Sequence, residues 1–139
     1  MAKLRDAVLG ALEVEEGQLT AWRKLRGQSY ELLIVVPDLA AQEKALVHAR
    51  AVVKDTERHL AALRGQIADA LLALCNRWRK EAGAKPVSRT AFLKPLQLMS
   101  VTVEGKAASL IFECGDLFED HGIEVCLGAR GGVGSIDLC

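Results

Sequence analysis

Aromatic residues make up only 4% of this chain: two Trp, one Tyr and three Phe. Proteins that hold single-stranded nucleic acid stack its bases on rows of such rings. Rings so few, and expected to lie in the core, disfavour that role. Charge of one sign is also missing, because 18 Lys and Arg balance 18 Asp and Glu. No global field draws the chain toward nucleic acid or a membrane surface. The longest aliphatic run, residues 32–36, falls far short of the ~20 residues that span a bilayer. Near the start, Lys3, Arg5 and Asp6 are followed by a short apolar stretch over residues 7–12 and then by acidic residues. That is not the shape of a secretory signal, and the expectation is a cytoplasmic chain with no membrane association. Cys75, Cys114, Cys126 and Cys139 include no CxxC pair and no compact framework. They read as buried free thiols, not as bridges.

What is present is half hydrophobic, enough to fold without a metal or disulfide. At 139 residues the chain has the size of a single domain with one core. Its first third reads as a three-stranded meander over residues 8–14, 19–25 and 30–36, with turns at Gly17 and Gly27. Tyr30, Leu32, Ile34 and Val36 share one face while Leu33 and Val35 share the other. The alternation predicts a central strand covered on both sides. Pro37 stops this strand and Asp38 is placed to cap a helix.

From Leu39 the apolar residues Leu46, Ala49, Val53, Leu60, Leu63, Ile67, Leu71, Leu74 and Trp78 recur at steps of three, four or seven. One helical face stays in phase for about eleven turns. A straight helix over 39–82 would be ~65 Å long, against a radius of gyration of ~14 Å for a compact domain of this size. The helix must bend, split into two nearly collinear pieces near Lys54-Asp55-Thr56 or at Gly65, or overhang onto another chain. Gly83 and Pro86 end it, and Ser88 caps a short helix through Leu93. A hairpin follows about Gly105-Lys106, with Val103 opposite Ala108, Val101 opposite Leu110, Met99 opposite Phe112 and Thr102 opposite Ser109. A last strand pair, 123–127 and 133–138, turns through the glycine-rich segment 128–132. The fold class is α+β, with antiparallel strands before and after one long amphipathic helix.

Candidate chemistry is sparse. Asp116, Glu119, Asp120 and His121 gather between two strands, where carboxylates beside an imidazole could act as catalytic acid and base or bind a divalent metal. Their spacing fits neither a calcium loop nor a zinc set, so an acidic turn anchored by Phe118 is the plainer account and no metal is expected. His48 and His59 fall almost on one helical face but ~16 Å apart, too far to share an ion. They read as independent surface or boundary residues. Gly128, Gly131, Gly132 and Gly134 match a phosphate cradle only in composition, since no GK[ST] follows, and a hairpin turn is the reading. Arg130 in that turn could bind an anion if the turn lay beside the acidic loop, although opposite ends of one strand are the default geometry. Arg50, Lys54 and Arg58 step by four and predict a basic stripe. Basic residues outnumber acidic ones over 39–86, and the reverse holds over 87–139. The stripe therefore suits an acidic protein partner or the C-terminal half of a second copy.

Several short segments carry a family resemblance: a leading VLG with a Trp strand, the aliphatic strand ending at Asp38, LLALCNRW at 71–78, FLKPLQLMSVTV, and GDLFEDHGIEV. Together they make nearly the whole chain resemble an uncharacterised bacterial domain-of-unknown-function family, DUF2262. Members show a small residue before the His of the last motif, as in F-x-G-H-x-I, where Asp120 stands here. The resemblance implies a bacterial α+β domain and brings no activity, so it transfers no role to His121. By analogy with small bacterial domains suspected of neutralising toxins, the expectation is a non-catalytic, immunity-type protein-binding module without a cofactor. Its partner would be another protein or itself, as a homodimer through the long helix. A small-molecule or metal-dependent enzyme built on residues 116–121 is the alternative.

Overall fold

A computed structural model describes residues 2–139. Its strands are β1 (Ala2–Asp6), β2 (Gly10–Glu15), β3 (Gln18–Leu25), β4 (Gln28–Val35), β5 (Gln97–Glu104), β6 (Ala107–Glu113), β7 (Ile123–Leu127) and β8 (Val133–Leu138). They form one eight-stranded sheet in sequence order. Every neighbouring pair is antiparallel except β4 and β5, which are parallel. A parallel pair cannot be joined by a tight turn. The crossover carries a 3-10 turn (Leu39–Ala41), α1 (Gln42–Arg58), α2 (Leu60–Glu81) and α3 (Arg89–Leu93).

The two expected strand groups are thus halves of one sheet, and the first half has four strands instead of three. The extra one, β1, is short and charged, and pairs Leu4 with Leu12 and Ala2 with Val14. Its sequence, AKLRD, alternates but carries too few apolar residues to mark a strand.

One face of the sheet carries the core. Leu19 and Ala21 on β3, Leu32 and Ile34 on β4, Val101 and Val103 on β5, Leu110 and Phe112 on β6, and Ile123 and Val125 on β7 are all buried. They pack with Leu46, Ala49 and Val53 of α1 and Leu63, Ile67 and Leu71 of α2 in one cluster. β4 is central, as its sequence suggests, but only one of its faces is deeply buried. Leu33 and Val35, on the other face, are half-buried.

The long helix is two helices. His59 is the joint, with φ −106° and ψ 19°, and not Lys54-Asp55-Thr56 or Gly65. The ladder nonetheless runs through it, His59 N donating to Asp55 O at 2.9 Å and Leu63 N to His59 O at 2.9 Å. The apolar stripe therefore keeps its phase across the joint, and one chain covers it from Leu46 onward. Leu46, Ala49, Val53, Leu63, Ile67, Leu71 and Cys75 are buried among their own chain's residues, so the stripe does not overhang. Leu39 and Val47 are the large apolar residues left exposed on this helical segment.

The remaining signals fall where the chain announces them. Asp38 caps the 3-10 turn by accepting from Ala41 N. Gly83, at φ 77°, ends α2: Gly83 N donates to Lys80 O and Ala84 N to Arg79 O, which satisfies the last carbonyls. Ser88 accepts from Ala91 N to start α3. In the β5–β6 hairpin, Val103 faces Ala108, Thr102 faces Ser109 and Val101 faces Leu110, but Leu98 and not Met99 faces Phe112. A bulge between Leu98 and Ser100 absorbs Met99, which is 40% exposed, and it lets Leu98 share the core face with Val101. The thiols are all free. Cys75 and Cys114 are buried, whereas Cys126 is half-buried and Cys139 exposed.

Candidate functional site

The acidic loop sits between β6 and β7. Phe118 is fully buried and anchors it as expected, edge-on to Trp78 at 5.4 Å and to Phe92 at 6.3 Å. Around that anchor Asp116, Glu119, Asp120 and His121 are exposed. His121 Nδ1 lies 3.2 Å from the Cys139 carbonyl, so the ring is tied to the end of the chain. Glu119 has φ 57°, a left-handed conformation costly for a side chain with a Cβ. Among the described residues no group of three or more His, Cys, Asp or Glu is arranged to hold a metal. Arg130 is not brought to this loop: its turn follows β7, the acidic loop precedes it, and the two stand at opposite ends of that strand.

The basic row on α1 is broken at its first member. Arg50 is drawn out of the row by Asp6, whose buried Oδ2 it contacts at 2.5 Å, and it approaches Glu43 at 3.8 Å. Lys54 and Arg58 remain exposed beyond it. Near the end of the same helix, Glu57 accepts from both Nε and Nη2 of Arg23 at 3.0 Å and from the Tyr30 hydroxyl at 2.8 Å. Arg23 also donates to the Val8 carbonyl at 2.9 Å. Burial, reinforced by the Glu57 carboxylate, pushes the Tyr30 phenol up. Every nitrogen of Arg23, the Tyr30 hydroxyl and both Glu57 oxygens has a partner, so the cluster clasps α1 to β3 and β4.

A cleft of about 240 Å³ opens between α1 and the turns after β5 and β7. His48, Asp55, Thr56 and His59 reach it from the helix, Lys106 and Arg130 from the turns. Thr56 is 2% exposed, and neither its Oγ1 nor the buried Nε2 of His48 has a hydrogen-bond partner. Two orphaned polar atoms facing one cleft fit ordered water or a small hydrogen-bonding ligand. His48 and His59 share a face, as their spacing predicts, one half-buried and one exposed, as surface or boundary residues should be; that they line one cleft is what their spacing does not tell. The missing signal was tertiary: the glycine-rich turn closes on that face, with a Cβ built on Gly131 falling 4.0 Å from Asp55 Oδ2.

On the opposite side of the sheet lies a broader depression of about 490 Å³ over β1 to β4, lined by Lys3, Glu13, Glu15, Thr20, Trp22, Glu31 and Leu33 among others. Trp22 is 71% exposed, against the expectation that the aromatic rings lie in the core. Strand parity explains it. Ala21 and Arg23 take the core face, and Trp22 stands outward opposite Glu31.

Residues 6–138 match the family described as an uncharacterized protein conserved in bacteria, DUF2262. Neither the curated proteins nor the solved structures contain a match to the chain. Among the described residues no helix is long and apolar enough to cross a membrane.

Proposed function

The chain belongs to the bacterial DUF2262 family, and from that premise we propose that it is a non-catalytic module that binds a basic protein partner through the open sheet face around Trp22. The exposure of Trp22 carries this reading. Leaving an indole in water forgoes about 2 kcal/mol or more of burial. Tryptophan is also the residue most enriched at the energetic centre of protein interfaces. Glu31 stands opposite Trp22, and Glu13 and Glu15 line the same depression, where Lys3 is the one basic residue; this favours Lys or Arg on the partner, able both to pair with carboxylates and to stack on the indole.

The size of the face fits. Eight strands at ~4.8 Å and five to six residues at ~3.3 Å give a surface of about 700 Å², close to the ~800 Å² per partner of a standard interface. An immunity-type protein, neutralising a toxin by surface complementarity within the cytoplasm, is one instance of such a module. The acidic loop gives the enzyme reading little support, because its carboxylates and His121 stand in solvent and line none of the clefts at His48, Arg64 or Trp22.

Affinity purification from the native bacterium, with the wild-type chain and Trp22→Ala in parallel, tests the proposal. The expected result is a stoichiometric basic partner that the variant binds about 30-fold more weakly. Recovery of the chain alone, or equal retention by Trp22→Ala, overturns it.

A further inference from the structure

At the end of the sheet where β4 and β5 begin, a second cleft of about 290 Å³ is lined by Arg26, Arg64 and Lys94 and by no acidic residue. Gln28 and Gln97 add amides, while Leu25, Leu60, Leu96, Leu98 and Phe112 supply apolar wall. We propose that this cleft binds a small organic anion, with a carboxylate or phosphate head held by the three cations and an apolar body against the leucine and phenylalanine side chains.

Arg64 is the first observation. It projects from α2, is half-buried, and spends one Nη2 hydrogen on the Leu93 carbonyl. Its Nε is buried and has no partner. Among the described residues neither Arg64, Arg26 nor Lys94 forms an ion pair. Guanidinium groups taken out of water are ordinarily paired, because an uncompensated charge and an unused donor both cost stability. An oxyanion in the cleft would supply the missing counter-charge, and the planar fork of Arg suits carboxylate and phosphate alike.

Arg26 is the second. It occupies the first central position of the two-residue β3–β4 turn at φ 53°, with Gly27 following at φ 82°. Such a turn favours Asn, Asp or Gly at that position, and a long side chain with a Cβ is strained there. The turn thus carries a cation, where a neutral residue would fold better, at the rim of the cleft that already holds Arg64. Lys94, the C-cap of α3, closes the third side. None of these residues lines the depression around Trp22, so the anion site stands or falls apart from the protein-binding reading.

The test is a titration of the isotope-labelled protein with phenyl phosphate, benzoate, inorganic phosphate and benzylamine, followed by amide shifts. Phenyl phosphate or benzoate should shift amides about Arg26, Arg64 and Gln97 and bind more tightly than inorganic phosphate, while benzylamine should shift none of them. Whichever of the two aromatic anions binds better identifies the head group. Arg64→Met should weaken binding by about tenfold or more. Arg26→Asn should weaken it severalfold while holding or raising the denaturation midpoint, a combination that a purely structural role would not give. Should Arg64→Met fail to fold, the exposed Lys94→Met serves in its place with a severalfold loss. No shifts with any anion, shifts confined to another region, equal response to benzylamine, or unchanged affinity in the folded variants overturns the proposal.

Discussion

Arg50 reaches from the middle of α1 to Asp6 at the end of β1, with its Nε 2.8 Å and its Nη2 2.5 Å from Oδ2. The other carboxylate oxygen accepts from Val8 N at 2.8 Å and Leu9 N at 2.9 Å. One buried side chain thereby shapes the β1–β2 turn and fastens the edge of the sheet to the helical layer.

Acid should release this contact. The Arg50 guanidinium, helped by the Leu9 and Val8 amides and opposed by burial, holds the Asp6 carboxyl at about 2, below its ordinary 3.8. A depressed carboxylate stabilises the fold fully above its unfolded pKa and loses that contribution as pH falls through the folded one. Asp6→Asn should therefore lower stability by about 2–4 kcal/mol at neutral pH. The gap between the two proteins should close as pH falls from about 4 toward 2, measured by urea denaturation at each pH.

Removing Glu57 should cost more than removing either partner's bond to it. Glu57→Ala leaves Arg23 without a counter-ion and the Tyr30 hydroxyl without its acceptor, an expected loss of about 2–3 kcal/mol. Tyr30→Phe should cost about 1 kcal/mol. A double-mutant cycle on the two positions, read by chemical denaturation, should give a coupling of at least ~0.5 kcal/mol.

Trp22→Ala should leave stability within about 0.5 kcal/mol of wild type, because the ring is solvent-exposed. In the wild type, a neutral fluorescence quencher should reach Trp22 freely and the half-buried Trp78 poorly. Quenching of the variant should then fall to the level of the single protected ring.

The four thiols should separate by accessibility. Burial pushes the Cys75 and Cys114 thiols up, so both should resist an aromatic disulfide reagent until denaturant is added. Cys139 should react first in the native protein and Cys126 more slowly, as followed by release of the coloured thiolate.

Thr56→Val probes the cleft beneath α1. The two side chains are nearly isosteric, and Thr56 Oγ1 is buried without a partner, so the substitution should raise stability by about 1 kcal/mol. A loss of that size in thermal or chemical denaturation would mean that the hydroxyl is satisfied by a bound water or ligand.

Local order was legible in the chain wherever one residue type dictates backbone geometry or one periodicity dictates a face. The apolar alternation of residues 30–36 marked β4 as a central strand but not that only one of its faces is deeply buried; Gly83 and Ser88 marked the end of α2 and the start of α3, and β7 and β8 lie on the residues predicted for them. The helical stripe was legible too, with its phase intact across the joint. Where local cues are weak, the reading failed: β1 has too few apolar residues to announce itself, and the bulge at Met99 leaves no mark in the alternation.

Only the tertiary structure decided which side of each element faces what. Nothing local to Arg50 tells that a carboxylate 44 positions earlier in the chain will take it from the basic row. Nothing local to Trp22 tells that the face it occupies will carry no helix. The parallel pairing of β4 with β5 places the whole crossover between them and fuses two meanders into one sheet, and the same pairing gathers Arg26, Arg64 and Lys94 from three distant segments. Periodicity is a property of neighbours along the chain and survives in the sequence. A site assembled across a sheet depends on registers and crossovers fixed by burial of the whole core, and no window of sequence contains them.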